Sequence, residues 1–236
     1  MGHVHLNVHD VQVQNQLWID HFGAVPLRKD GVDGVKLPGV LILFDRKDSK
    51  GGSEGTVLDH FGLKVRDLGE TLKGWRAAGY QVQREFKGTE GFPNAYLRGP
   101  DEVRIELQED TTLPQRAIAY HLHFMLADQV KLRDWYVQTF SMASGNRGTH
   151  EAADIPGINL SFTPVKRPAV IGSAGRAIDH IGFEVRDLQA LCRKLEARGV
   201  KFDVPYRTLP GRGLAVAFLT DPYGVSIELT EGMAAW

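Results

Sequence analysis

Histidine recurs in this chain in one repeated setting: HVHLNVHD from position 3, HFGLKVRD from 60, HLHFMLAD from 121 and HIGFEVRD from 180. The residues one, three and five places after each of these histidines are apolar, beginning with Val4, Leu6 and Val8. That alternation belongs to a half-buried β-strand, so His3, His60, His121 and His180 face away from the core. Two later runs, EVRIEL and VSIEL, alternate in the same way and turn Glu106 and Glu228 toward the polar side. A lone strand glutamate is ordinarily a solvated residue, and a shared ancestral core histidine would also repeat. One glutamate for every two strand histidines, twice over, fits better with a facial metal-binding set that leaves coordination positions open for substrate or oxygen.

The elements that must hold these residues form a fourfold repeat with a period of about 60 residues. Each histidine strand is followed by a helical pattern. VQNQLWIDHFG and VKLRDWYVQTFS end in Phe22 and Phe140, whereas LGETLKGWRAAGY and LQALCRKLEARGV carry Gly79 and Gly199 at the helix C-cap. The strand-like runs GVLILF, EVRIELQ, GINLSF and GVSIELT close the modules. Module one resembles three and two resembles four, which divides the chain into halves 1–112 (modules 1–56 and 57–112) and 113–236 (modules 113–175 and 176–236). DRKDSKGGSEGT, EDTTLPQR and TPVKRPAVIGSAGR read as linkers, and GGSEG lacks the lysine of a phosphate loop. The net charge of −1 over 236 residues, without basic clusters, argues against nucleic acid or an anionic membrane as partner. A small molecule is the expected partner, a homodimer the assembly considered, and the cytoplasm the expected location. Cys192, the single cysteine, sits in a helical pattern and reads as a buried core residue.

With this pattern the chain resembles the vicinal oxygen chelate superfamily of glyoxalase I, extradiol dioxygenases and bleomycin-resistance proteins. The resemblance implies an α+β fold of four βαβββ modules forming two cupped, barrel-like mixed sheets with helices on the outside. It also carries the family's metal ligands onto His3, His60, His121, His180, Glu106 and Glu228. Two module pairings remain open. One with two and three with four groups His3, His60, Glu106 and His121, His180, Glu228; one with four and two with three groups His3, His180, Glu228 and His60, His121, Glu106. Glyoxalase-like members usually add a carboxylate where this chain has Leu43 and Ser161. The remaining set resembles that of the iron-dependent branch, in which a tyrosine precedes the metal glutamate by ten residues. Tyr96 matches it, and Phe218 replaces it in the second half. The histidine that accompanies this tyrosine is missing, and His5 and His123, each two residues beyond a proposed ligand on the same strand face, are its substitutes as general acid or base. His9, His21 and His150 match no repeat position and read as surface or loop residues. The expected function is metal-dependent chemistry on a small catecholic, enolic or α-keto substrate, with an Fe(II) dioxygenase first. A glyoxalase-type isomerase or lyase using Mn, Zn, Ni or Co is the alternative, and a metal-free binding protein of the bleomycin-resistance kind the third.

Overall fold

The computed structural model describes residues 2–166 and 171–236. The sequence linker between modules three and four includes residues 167–170, which lie outside the described residues. Module one comprises β1 (His3–Val8), α1 (Val11–Phe22), β2 (Val25–Lys29), β3 (Val32–Leu37) and β4 (Val40–Arg46). Module two has β5 (Leu58–Val65), α2 (Leu68–Ala77), β6 (Gln81–Lys87), β7 (Pro93–Arg98) and β8 (Arg104–Glu109). Module three has β9 (Ala117–Met125), α3 (Gln129–Phe140), β10 (Ala143–Arg147), β11 (His150–Ile155) and β12 (Ile158–Thr163). Module four has β13 (Ile178–Glu184), α4 (Leu188–Ala197), β14 (Val204–Leu209), β15 (Leu214–Thr220) and β16 (Ser226–Glu231).

The aspartate that ends each histidine repeat starts the helix. Asp10, Asp67 and Asp187 accept backbone N–H bonds from the first turns of α1, α2 and α4. Asp128 occupies the same place before α3 but makes no capping bond, its carboxylate accepting from the Tyr223 hydroxyl instead. Gly79 and Gly199 follow α2 and α4 with φ of 83°, the left-handed geometry expected of a glycine beyond a helix end.

The strands form two eight-stranded sheets, β14-β15-β16-β13-β1-β4-β3-β2 and β10-β11-β12-β9-β5-β8-β7-β6. Module one therefore pairs with four, and two with three. The short connection at residues 110–116 lets β9 turn back antiparallel beside β5. The longer segments on either side carry the chain between sheets. Each sequence half thus contributes one module to each sheet.

Apolar strand faces and helices meet in one continuous core. Trp18 of α1 stacks on Phe61 of β5 at 5.7 Å, and Phe140 of α3 packs on Phe183 of β13 at 5.3 Å, so helices of one sheet reach the other. Burying such aromatic rings contributes on the order of 1.5–3 kcal/mol each. Cys192 lies in this core with 2% exposure. Among the described residues, no helix is long and apolar enough to cross a membrane.

Candidate metal centres and their surroundings

On the concave side of each sheet the first-strand histidines and the last-strand glutamate converge. In the cup of modules one and four, β1 and β13 pair His5 with His180 and His3 with Gly182, while β16 places Glu228 beside Gly182. In the cup of modules two and three, β5 and β9 pair His60 with His123 and Gly62 with His121, and β8 places Glu106 beside Gly62. The glycines are required. A Cβ on Gly182 would lie 2.1 Å from Cε1 of His3, and one on Gly62 would lie 2.1 Å from Cε1 of His121. Each imidazole rests on the bare backbone between its own strand and the glutamate.

Bulges orient a second imidazole in each cup. Asp59 and Asp179 are extra residues in β5 and β13, where the pairing register shifts. A bulge rotates its side chain off the regular alternation. Asp59 Oδ1 lies 2.6 Å from His60 Nδ1, and Asp179 Oδ1 2.8 Å from His180 Nδ1, which leaves Nε2 of each ring facing its glutamate. Distances to Glu106 Oε2 are 2.8 Å from His60 Nε2, 3.2 Å from His121 Nε2 and 3.8 Å from His123 Nδ1. Distances to Glu228 Oε2 are 2.9 Å from His3 Nε2 and 3.2 Å from His180 Nε2. His5 completes the first group and His123 the second, so each cup offers four ligand atoms within 4.8 Å of one another.

These residues fit a divalent cation. Among the described residues, the buried atoms His3 Nδ1, His3 Nε2, His5 Nδ1 and His121 Nδ1 find no hydrogen-bond partner, although His3 Nε2 and Glu228 Oε2 are close. One ligand atom from each of three histidines and a glutamate in a buried space, with His3 Nε2 facing Glu228 without a hydrogen bond, is a set that a cation bridges. Burial, with the neighbouring charge on His180, pushes His5 down to about 3, and burial with the Arg147 cation does the same to His121. Burial also takes His123 well below its usual value. These three rings are neutral, the form that ligates metal. Burial opposes charge on His60 and His180 too, but hydrogen bonds to Asp59 and Glu106, or to Asp179 and Glu228, raise both, His180 to about 8. Burial alone would raise Glu106 and Glu228, yet their histidine partners hold both carboxyls well below the usual range.

The cups differ around this shared centre. Beside Glu106, Asn94 donates to Oε1 at 2.6 Å; the matching position next to Glu228 is Val216. Tyr96 lies edge-on to His60 at 5.1 Å beneath the Arg104 guanidinium, 4.0 Å from its ring centre, while Phe218 lies 5.6 Å from His180. Burial raises the Tyr96 phenol, so it stays protonated. Arg147, 6% exposed, donates from Nε to Ser161 Oγ at 2.7 Å, and its terminal nitrogen lies 3.4 Å from both His121 Nε2 and His123 Nδ1. The cup of modules one and four is instead apolar, with Leu41, Leu43, Leu214, Met233 and Trp236 clustered together.

Three residues outside the repeat pattern differ from the sequence expectation or extend it. His150 is not a loop residue. It lies half-buried on β11, with Nδ1 2.7 Å from Thr163 Oγ1, which is in turn 2.8 Å from His123 Nε2. His21 lies on α1, half-buried against Trp75 and Tyr80, whereas His9 is exposed as expected. Arg147 had no periodic signal. The bulged aspartates had one, because modules two and four read DHFG and DHIG where modules one and three read HVH and HLH.

Residues 120–229 match the model of the Glyoxalase/Bleomycin resistance protein/Dioxygenase superfamily. No curated protein sequence matches the chain. Among solved structures, glyoxalase I from Zea mays is similar over 97% of this chain and 91% of its own, with TM-score 0.73 and 15% identity. A Bacillus subtilis strain 168 protein named as a candidate dioxygenase is similar over 98% and 86%, with TM-score 0.68 and 14% identity. At such identities the likeness is one of fold. Residues 120–229 thus match the glyoxalase/bleomycin resistance protein/dioxygenase superfamily, and the chain as a whole shares the fold of glyoxalase I.

Proposed function

We propose that the protein is a metal-dependent enzyme acting on a small substrate that presents two adjacent oxygens, by redox-neutral proton transfer of the isomerase or lyase kind. The observation that carries this reading is the count of donors: His5 and His123 join the triads, making four per cup rather than the three expected from sequence. A six-coordinate ion held by four protein atoms has two positions left, enough for the two substrate oxygens but not for dioxygen as well. The metal, Mn, Zn, Ni, Co or Fe(II), would supply Lewis-acid polarisation of those oxygens. His3, His5, His180 and Glu228 would hold it in one cup, and His60, His121, His123 and Glu106 in the other. Asp59 and Asp179 keep the His60 and His180 rings turned toward the centre. Among the described residues Glu228 Oε1 has no hydrogen-bond partner, which makes it the candidate to move the substrate proton, whereas Asn94 ties Glu106 Oε1.

A second reading, an Fe(II) oxygenase, is favoured by the longer reach of His123, whose Nδ1 lies 3.8 Å from Glu106 Oε2 against 2.8 Å for His60 and 3.2 Å for His121. If His123 stays off the ion, three donors remain in the cup of modules two and three, with room for both substrate and oxygen. His123 would then handle protons, with His150 beyond Thr163 as the outlet and Tyr96 as a hydrogen-bond donor. The deciding experiment loads the protein separately with each metal and screens thiohemiacetals, α-keto acids and catechols under argon and in air. Equal conversion under both, supported by Zn or Ni, is the expected outcome. Oxygen uptake that depends on Fe(II) would overturn it in favour of the second reading. Retention of less than about a tenth of an equivalent of every metal would remove the enzyme reading altogether.

A further inference from the structure

The cup of modules two and three is closed by a carboxylate of the chain itself. The turn between β6 and β7 carries Glu90, and the turn between β10 and β11 follows Arg147; these elements are the two outer edges of one sheet. The sheet curls until the turns touch, so closely that a Cβ on Gly148 would lie 2.2 Å from Thr89 Oγ1. At this contact Arg147 donates to Glu90 Oε2 at 3.2 Å, and the Tyr120 hydroxyl reaches the two Glu90 oxygens at 2.6 and 2.7 Å. Tyr120 points there because it is itself a bulge residue, extra on β9 between the pairs Gly62–His121 and Leu63–Ala119. Lys64 Nζ lies 4.8 Å from the Tyr120 ring centre and adds positive charge on its other side.

We propose that Arg147 and Tyr120 form a carboxylate cradle for the ligand of this cup, and that Glu90 occupies it until an anionic ligand displaces it and the β6–β7 turn lifts. Three features support this. Arg147 faces inward as well as outward, with one terminal nitrogen on Glu90 and the other 3.4 Å from two of the histidine nitrogens that would hold metal. The carboxylate it holds sits on a turn, the part of a hairpin that moves most easily, while Arg147 is fixed by Ser161 and 6% exposed. The charges also favour an anion once Glu90 leaves. A divalent ion with Glu106 and Asp59 is neutral in sum, Arg104 is countered by Glu54 at 3.7 Å, and Arg147 then leaves the cup positive. The other cup lacks all of this: Gly2, Lys29 and Ser226 stand where Tyr120, Arg147 and Arg104 stand here, and Lys29 packs on Trp236 instead. The inference narrows the substrate of the function proposed above, in this cup, to a small α-oxo or α-hydroxy acid rather than a neutral compound.

The test compares lactate with lactamide, which share a skeleton and differ in the carboxylate. Calorimetry is run on metal-free and Mn(II)-loaded protein, with metal content measured in parallel. Lactate is expected to bind the unaltered protein at least about 10-fold tighter than lactamide, the scale of one charge-assisted pair. Glu90→Gln should tighten lactate by a further factor of about 10 and leave lactamide unchanged, because it removes the competing anion. Arg147→Met should abolish the lactate preference; if that variant does not fold, Tyr120→Phe should reduce it by roughly 3- to 10-fold. Equal binding of the two compounds by both the unaltered protein and Glu90→Gln would overturn the cradle, even with full metal content. A lactate preference lost in Arg147→Met, in protein that retains no metal, would uphold the cradle and remove the metal-enzyme reading. A structural role for Arg147 alone would leave the lactate to lactamide ratio where it was.

Discussion

Gly62 and Gly182 act by having no side chain. Each lies under the imidazole of the opposing strand, and the missing Cβ is the space in which His121 or His3 reaches its glutamate. Gly182→Ala should therefore swing His3 away and lower metal content by about one equivalent, and Gly62→Ala should do the same for the other cup, as elemental analysis would read. Either variant retaining both equivalents would mean that this ring is not a ligand. Replacing Glu106 or Glu228 by Ala should likewise cost one equivalent each, with circular dichroism unchanged, because the carboxylates lie opposite the apolar faces of their strands. Asp59→Asn and Asp179→Asn keep the shape of the side chain but weaken its hold on His60 or His180. The expected loss of metal affinity is roughly 10- to 100-fold. A smaller loss in both would show that ring orientation is set by packing alone.

The connection between β15 and β16 presents a different balance. Asp221, 4% exposed, accepts the Tyr223 and Val225 amides at 2.8 and 2.9 Å and the Tyr136 hydroxyl at 3.0 Å, which ties module four to α3. Burial outweighs those bonds and raises its carboxyl from 3.8 to about 6. A carboxyl that holds its proton more tightly when folded adds stability in full below the unfolded value, and that stability is lost as pH rises through the folded one. The protein should thus lose up to about 3 kcal/mol from this group between roughly pH 4 and 6. Asp221→Asn should flatten the fall in melting temperature over that window, and an unchanged slope would show that another group is responsible. The helices, the glycines that end two of them and the strand faces were legible in the sequence because each depends on residues within one or two turns of one another. The strand faces that carry the six proposed ligands were legible for the same reason. Their grouping was not, since it depends on β1 pairing with β13 rather than β5, a choice made between strands far apart in the chain. Bulges set Asp59, Asp179 and Tyr120 off the alternation on which the reading relied, and only the DHFG and DHIG spelling of modules two and four marked the two aspartates. Arg147, His150 and Glu90 were hidden because hairpins bring them in from the edges of the sheet.

Across the whole molecule the two cups share one core but differ in how they face outward: one mouth is closed by touching turns and a carboxylate, the other is packed with Met233 and Trp236. They differ equally in where their parts lie along the chain. Residues 57–163 hold all of modules two and three, so their sheet nests inside a ring of chain that must be brought together from both sides. Because long-range pairing waits on loop closure, this order governs folding. Amides of β5 and β9 should gain protection in pulse-labelled hydrogen exchange before those of β1 and β13, and simultaneous protection would contradict it. The interlaced pairing thereby sets a queue for metal. During refolding, His60, His121 and Glu106 are assembled while His3 still awaits His180 and Glu228, so a limiting amount of metal added at the start should be captured first by the inner cup, whatever the relative affinities of the finished sites.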